Sequence, residues 1–275
     1  MKEILLTAKF RVRNPVDGSQ ITPDIFTGKR IDEIEEFELS VGNKKNKLKE
    51  FFKVSGEVSE TPENQTIVIN GGVQSFQGIG KGMTDGLIRF EGDAGLYTGE
   101  EMVGGSIIVH GNAGSWTGAC MKGGLIEVHG DAGNQIGASY RGSPHGMSGG
   151  SIIVHGSAGY EIGAWMRDGL IHIEKNAGQF AGVHMQGGSV LISGDCGGRL
   201  GAQMTGGKIA LLGHIPSILP SFTFDGKREK VKVGETKIEQ PFYRFTGDLN
   251  EKGNGKLFIS IGKNPHLKFY EKFIE

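Results

Sequence analysis

Three histidines recur at one position of a repeating pattern, and they are the residues of this chain best suited to metal chemistry. They are His110, His129 and His155, and each follows a short apolar segment. Read through the repeats in order, the column contains Glu91, His110, His129, His155, Glu174 and Ser193. If each segment is a strand, neighbouring imidazoles lie about 4.8 Å apart and could share a metal ion. Because any repeat turns a favoured turn residue into such a column, we expect a solvated row without a metal, and metal binding is the alternative.

A second group of chemically versatile side chains lies where the pattern is interrupted. The step from Gly124 to Gly150 is seven positions longer than every other step between repeats, and the additional residues fall within 139–146, Ser-Tyr-Arg-Gly-Ser-Pro-His-Gly. Insertions in repeat proteins form loops on one face, which is often the binding face. Tyr140, Arg141 and His145 are of types that suit contact with a partner protein. A tolerated surface bulge is the alternative.

No sequence pattern indicates a catalytic or cofactor site. The chain contains neither a G-x-S-x-G nucleophile elbow nor a G-x-x-x-x-G-K-[ST] phosphate loop. Its two cysteines, Cys120 and Cys196, are too few for a disulfide framework or for the four thiolates of an iron–sulfur cluster. Cys196 falls in a small inward-facing column, which favours an inert thiol. We therefore predict no catalytic residue and no cofactor in this chain.

Composition narrows the class of protein. Glycine supplies 48 of 275 residues but follows no G-x-y triplet, which excludes collagen. A formal net charge of −1 gives no general attraction to nucleic acid or to an anionic membrane. The chain has no apolar run of membrane-spanning length, and its first residues lack the apolar segment of a signal peptide. We expect a cytoplasmic protein that binds neither nucleic acid nor membrane.

A short repeat with a period of nineteen positions must place the candidate side chains. Its leading glycines keep this spacing except at the one longer step: Gly86, Gly105, Gly124, Gly150, Gly169, Gly188 and Gly207. The second and fourth positions after each glycine are apolar, which predicts one short strand per repeat with both positions facing inward. A small column, Ala94 to Ala177 and then Cys196, is expected inside as well. So are seven methionines: Met83, Met102, Met121, Met147, Met166, Met185 and Met204.

The repeat length limits the architecture. A strand this short cannot bury itself, and the period leaves no room for two packed helices, so equivalent strands must stack. The predicted fold is all-β, a right-handed parallel β-helix of about seven to eight coils. Open ends would expose strand edges, so we expect caps on both sides. The predicted domains are an N-terminal cap at 1–65, a β-helix at 66–213 with the inserted loop at 139–146, and a C-terminal cap or tail at 214–275.

Particular segments also resemble known families. The unit G-G-x-I-x-V-x-G-x-A-G-x-x-x-G-A-x-M, clearest at 104–121 and 149–166, resembles the glycine-patterned β-helix at the C-terminus of the glutamate synthase large chain. The whole chain is more similar to the family of formylmethanofuran dehydrogenase C subunits. That similarity rests on the repeat, on the insertion that closes with Gly-Met-Ser-Gly-Gly at 146–150, and on the segment PDIFTGKRIDEI at 23–34.

The resemblance implies a role inside a larger enzyme. That complex reduces CO2 with electrons from reduced ferredoxin and attaches the formyl group to methanofuran, the first step of methanogenesis. The implied partners are molybdenum- or tungsten-pterin subunits with iron–sulfur clusters, ferredoxin-like subunits, and an amidohydrolase-like subunit with a dinuclear metal site. The C subunit carries none of these groups. It is expected to be a non-catalytic structural subunit of the oxidoreductase that positions the catalytic ones.

Three other functions stay open at this point. The chain could be the scaffold of a formyltransferase/hydrolase complex, which runs related chemistry without CO2 reduction. It could be a free-standing β-helix that binds a metal or ligand through the histidine column. It could also be a module associated with a glutamate synthase. The proteins that purify with the chain, and its metal content, separate these functions.

Overall fold

The computed structural model describes residues 2–273, so Met1 and residues 274–275, at the outer ends of the predicted caps, lie outside it. The strands of the described part are, in chain order, β1 (Lys2–Ala8), β2 (Val16–Asp17), β3 (Glu38–Val41), β4 (Lys44–Lys47), β5 (Phe52–Gly56), β6 (Gln65–Asn70), β7 (Phe76–Gln77), β8 (Leu87–Phe90), β9 (Ser106–Val109), β10 (Leu125–Val128), β11 (Ser148–Val154), β12 (Asp168–Ile173), β13 (Ser189–Ile192), β14 (Lys208–Leu211), β15 (Thr223–Val233), β16 (Thr236–Gly247) and β17 (Gly255–Ser260). The helices are α1 (Pro23–Phe26), α2 (Ile31–Glu35), α3 (Leu48–Phe51) and 3₁₀ segments at Pro62–Asn64, Leu249–Glu251 and Pro265–Phe273.

Thirteen of these strands form one mixed sheet. Their order is β15-β16-β17-β14-β13-β12-β11-β10-β9-β8-β6-β1-β5. All neighbours from β17 to β1 pair in parallel, whereas β5 at one end and β16 and β15 at the other pair antiparallel. At about 4.8 Å per strand, the parallel part extends for roughly 43 Å.

The predicted fold class is wrong. The expectation was an all-β, right-handed parallel β-helix with separate caps, whereas the strands form a large, mostly parallel mixed sheet accompanied by a few short helices. Each repeat contributes one strand of four to seven residues, and the remainder is turns that meet the next repeat at a single bridge, such as Ala113 to Ala132. In addition, the predicted end segments supply strands to this same sheet. The division into three domains stays a prediction.

The predicted inward-facing columns are confirmed. Ile107 and Val109 of β9 are fully buried, and Ile107 pairs in register with Ile88 on one side and Ile126 on the other. All seven methionines of the repeats are buried, as is the small column that ends at Cys196. Burying an aliphatic side chain of this size stabilises a fold by about 1.5–3 kcal/mol. The stacked interior therefore holds the repeats in register and fixes the side chains on the outer surface.

Left-handed turns shape the rest of each repeat. Gly118 has φ +66°, and a Cβ there would lie 2.4 Å from Cδ1 of Ile152, two repeats further along the chain, so glycine is favoured at this position. Within residues 2–273, twelve residues other than glycine share this conformation. One is Lys252, and eleven lie in columns 11 and 15 positions after the leading glycine: Tyr97, Trp116, Gln135, Glu161, Phe180 and Arg199, then Glu101, Cys120, Trp165, His184 and Gln203. Such residues are strained by about 1 kcal/mol or more. Hydrogen bonds between repeats offset the strain, as where Trp116 N donates to Asn134 O at 2.9 Å.

Candidate functional site

The histidine column forms a continuous row on the outer face of the sheet. We call this row, Glu91, His110, His129, His155, Glu174 and Ser193, the histidine row. His129 follows β10 directly and His155 follows β11, and these strands pair in parallel. Side chains two residues apart on a strand share a face, so Glu127 of β10 lies on the same side as His129. Glu127 was not among the residues predicted from the sequence, although its position two residues before His129 would have placed it on the same face.

Glu127, His129 and His155 converge on one point. The Nε2 atom of His155 lies 2.8 Å from Oε1 of Glu127, and the Nε2 atom of His129 lies 3.5 Å from the same oxygen. One ligand atom from each of the three residues can be chosen so that all lie within 4.8 Å of one another. On its other side, Nδ1 of His155 lies 3.0 Å from Oε1 of Glu174. This set of two imidazoles and a carboxylate is suited to a divalent transition metal.

His110 belongs to a different arrangement from the other two histidines. Its ring stacks on His129 with centroids 5.0 Å apart, but its Nδ1 lies 3.3 Å from Glu91 rather than near Glu127. His172, which faces outward two residues before Glu174, has its Nε2 atom 3.0 Å from the hydroxyl of Ser193. The structure therefore brings His129 and His155 of the predicted row together and leaves His110 as their stacked neighbour.

The electrostatics differ along the row. Hydrogen bonds to Glu127 and then Glu174 raise the pKa of His155, because the imidazolium form gains both carboxylates as partners. Burial lowers the pKa of His172, because desolvation disfavours its charged form. The two pKa shifts have opposite directions, so the charged form is favoured at His155 and disfavoured at His172, relative to a free imidazole.

The inserted loop packs against the turns of earlier repeats. The hydroxyl of Tyr140 lies within hydrogen-bond distance of the Glu100 carboxylate, and 3.2 Å from Oε1 of Glu101. Glu100 is only 8% exposed, and its other oxygen lies 3.1 Å from Nζ of Lys81. Burial, followed by the hydrogen bond to Glu100, raises the pKa of Tyr140 well above its usual range. Tyr140 therefore anchors the loop through its hydroxyl, and its predicted contact with a partner stays a prediction.

The tip of the loop is open to solvent. Arg141 and His145 are exposed, and the Sγ atom of Cys120 donates to the backbone carbonyl of His145 at 3.2 Å. Burial raises the pKa of the Cys120 thiol, so its reactive thiolate is disfavoured. A cavity of about 360 Å³ lies here, with Cys120, Tyr140, His145 and Arg167 among its lining residues.

A smaller cavity of about 220 Å³ lies on another side of the loop. Gln135 lines it together with Glu161, Arg141, Trp165 and others. Gln135 is 5% exposed, and its Nε2 donates to the Glu161 carboxylate at 2.8 Å. Within residues 2–273, its Oε1 atom has no hydrogen-bond partner. A buried acceptor of this kind favours a ligand that brings a hydrogen-bond donor.

Aromatic side chains stack on one another beside the loop, in the two columns of residues that have left-handed backbone conformations. Trp165 stacks on His184 with centroids 4.1 Å apart, and Tyr97 stacks on Trp116 at 5.2 Å. Sequence reasoning missed them, although their positions recur at fixed distances from the leading glycines. We call residues 139–146 together with Glu100, Cys120, Gln135, Glu161, Trp165 and His184 the loop surface. Aromatic and arginine side chains around a polar cavity are typical of protein contact sites.

Comparison with known proteins decides the family. The C subunit of the tungsten-containing formylmethanofuran dehydrogenase 2 of Methanothermobacter thermautotrophicus is 54% identical over 269 residues, which cover 98% of this chain and 100% of that protein. The chain belongs to the family of formylmethanofuran dehydrogenase C subunits. The C subunit of the same name from Methanothermobacter wolfeii is 42% identical over 99 residues, which span only 37% of that relative's length. No protein-family model matches the sequence.

A solved structure agrees with membership of this family. A chain of the formyltransferase/hydrolase complex FhcABCD from Methylorubrum extorquens, crystallised with methylofuran, superposes with a TM-score of 0.82 at 27% identity. The match covers 93% of this chain and 99% of that one. Among residues 2–273, no helix has both the length and the apolar character needed to span a bilayer.

The related C subunits are named as parts of tungsten- or molybdenum-containing enzymes. This raises the question whether the cysteines of this chain could hold a metal group such as an iron–sulfur cluster. Clusters of iron and sulfur are held by several converging thiolates. Here Cys196 is buried in the small column and donates to the Gly178 carbonyl, whereas Cys120 donates to the carbonyl of His145 in the loop surface. The two separated thiols of this chain do not fit such a cluster.

Proposed function

We propose that this chain is the C subunit of a formylmethanofuran dehydrogenase complex and acts there as a non-catalytic scaffold. The observation that carries the proposal is identity of 48–54% to proteins of that name over 97–98% of the chain. The complex combines CO2, two electrons, two protons and the amine of methanofuran to give formylmethanofuran and water. The molybdenum- or tungsten-pterin, the iron–sulfur clusters and the dinuclear metal site belong to partner subunits in this proposal, and the complex works in the cytoplasm.

The stiffness of the sheet supports a scaffolding role. Ten mutually parallel strands are bonded in register around an apolar interior, so two proteins bound to the outside keep a fixed separation. A fixed separation matters when CO2 reduction and formyl transfer occur in different subunits, because the intermediate must pass between two sites. A deformable scaffold would let that path vary.

The loop surface is the docking site in this proposal. Arg141 and His145 are exposed at its tip, and Tyr140 holds them in place through Glu100. The unpartnered Oε1 of Gln135 and the carboxylate of Glu161 face the same cavity, so a partner that inserts a lysine or arginine side chain would satisfy both acceptors. Trp165 beside them would add a cation–π contact. Tyr140, Arg141 and His145 thus have distinct roles: one positions the loop and two contact the partner.

Purification of the tagged full-length chain from its native cells tests the function. We expect catalytic subunits of a formylmethanofuran dehydrogenase to co-purify in fixed ratio with tungsten or molybdenum, and the complex to oxidise formylmethanofuran with an artificial acceptor. Recovery of the chain alone, or with unrelated proteins, would overturn the proposal.

A scaffold in a formyltransferase/hydrolase complex is the second candidate. The structural match to FhcABCD favours it, since almost the whole of that chain superposes. In that case the co-purified complex would transfer and hydrolyse formyl groups without oxidising formylmethanofuran, and it would lack tungsten and molybdenum. The higher identity to the dehydrogenase subunits places this function second.

A further inference from the structure

We infer that Glu127, His129 and His155 form a binding site for a divalent first-row transition metal, for which Zn²⁺ is the natural probe. The site is independent of the scaffold function and of any metal in partner subunits. It is built by two adjacent strands, β10 and β11, whose parallel register places the three side chains at one point on the outer face.

The ligand atoms already have nearly the required geometry. Donors bound to tetrahedral Zn²⁺ at 2.0–2.2 Å are about 3.3–3.6 Å apart. Nε2 of His129 lies 3.5 Å from Oε1 of Glu127, and Nε2 of His155 lies 2.8 Å from the same oxygen. The shorter distance is a hydrogen bond, so a metal would take the place of the shared proton and separate the pair by about 0.5–0.8 Å. Exposed rings allow a shift of this size.

Glu174 supplies the outer support that histidine ligands require. Its Oε1 lies 3.0 Å from Nδ1 of His155, so once a metal has replaced the proton on Nε2, the ring still donates through Nδ1 and offers the Nε2 lone pair to the metal. Carboxylate–histidine–metal arrangements of this kind orient the ring and make it a stronger ligand. His110 completes the surroundings by stacking on His129 with centroids 5.0 Å apart, without contributing a donor to the group.

Three protein ligands leave a position for water or for a donor from outside the chain. The side chains are partly open to solvent, with 30% of Glu127, 44% of His129 and 34% of His155 exposed. A metal can therefore enter and leave without unfolding of the sheet. Folding does not depend on the metal, because the interior beneath the row is apolar and complete without it.

Titration of the full-length chain with ZnCl2 after chelator treatment, followed by calorimetry at pH 7.5, tests the site. We expect one Zn²⁺ per chain, and binding at least about tenfold weaker in Glu127→Gln, His129→Ala and His155→Ala. Glu174→Gln should weaken binding by about tenfold as well, since second-layer partners typically contribute 10–100-fold. The melting temperature should rise with zinc in the wild-type chain but not in Glu127→Gln.

His110→Ala is the matched control, because it removes a neighbouring imidazole of the same row that lies outside the group. We expect its zinc affinity to stay within about twofold of wild type. The inference fails if no saturable zinc binding occurs, or if Glu127→Gln and His129→Ala bind like wild type. It also fails if His110→Ala weakens binding as much as His129→Ala, since zinc would then bind diffusely along the row. Circular dichroism of each variant shows whether its fold is retained.

Discussion

The histidine row and the loop surface are formed by the same series of repeats but arise in opposite ways. The row follows the repeat: His129 and His155 come from equivalent positions, and pairing of β10 with β11 alone brings them together. The loop surface arises where the repeat is broken. Tyr140 lies near Glu100, far earlier in the chain, only because the insertion folds back over the turns.

The difference separates two kinds of information in a repeat protein. A regular column specifies its own neighbours, so a site within it follows from spacing. An insertion has no equivalent in other repeats, so its contacts depend on which turns it covers. The backbone conformation of Ser139 supports this distinction. Ser139 lies 15 positions after Gly124, where five other repeats within residues 2–273 have a left-handed residue, but it begins the inserted segment and is not left-handed.

The largest expected effect is on the free energy of unfolding, and it follows from truncating a side chain of the interior that both regions share. Ile107→Ala removes a fully buried side chain and should lower the free energy of unfolding by about 2–5 kcal/mol. Ile108→Ala is the control on the opposite face of the same strand and should cost about 1 kcal/mol or less. Chemical denaturation measures both. Equal losses of unfolding free energy in the two variants would mean that the buried face of the strand stabilises the fold no more than its outer face.

Deleting residues 140–146 converts the irregular region into a regular one, because it restores the common spacing between Gly124 and the next leading glycine. We expect the chain to fold but to assemble with partner subunits at least about thirtyfold more weakly, as expected when interface residues contributing about 2 kcal/mol or more are lost. Pull-down with quantitative mass spectrometry measures assembly.

Arg141→Ala combined with His145→Ala should reproduce most of that loss. Lys175→Ala, an exposed cationic residue outside the loop, should not. Assembly of the deletion variant at wild-type strength would show that the loop is only a surface bulge.

Tyr140→Phe tests the anchor alone. The variant removes the hydroxyl that contacts Glu100 and Glu101, and a hydrogen bond to a largely buried carboxylate is worth about 1.5–3 kcal/mol. We expect the free energy of unfolding to fall by about 1.5–3 kcal/mol and hydrogen exchange in 139–146 to accelerate. Tyr160→Phe changes an exposed tyrosine and should stay within about 0.5 kcal/mol of wild type. Similar results for both variants would remove Tyr140 as the anchor.

The smallest effect concerns Cys120. Burial raises its pKa, so less thiolate is present at any given pH and alkylation should require a more alkaline solution than for a free cysteine. At pH 8 we expect iodoacetamide to react more slowly with Cys120 than with free cysteine, and we expect the rate to rise when residues 140–146 are deleted. Cys196, which is buried, is the internal control for unfolding. Peptide mapping at several pH values measures both; reaction of Cys120 at the rate of free cysteine contradicts the expected burial.

Within the repeats, the sequence determined which side chains are buried and which strands are neighbours. Apolar residues at the second and fourth positions of every repeat can be satisfied only by facing a common interior, and a constant step between leading glycines sets their register. The row of histidines followed from the same periodicity.

Tertiary structure decided the fold class and which side chains come into contact in the histidine row and in the loop surface. The residues between the strands adopt left-handed turns, and the end segments join the sheet through antiparallel pairs, neither of which follows from an apolar period. It added Glu127 to the histidines, excluded His110 from the group, and made Tyr140 an anchor by placing Glu100 beneath it. Periodicity specifies what each repeat shares, whereas these contacts depend on side chains that differ between repeats and meet only when the chain has folded.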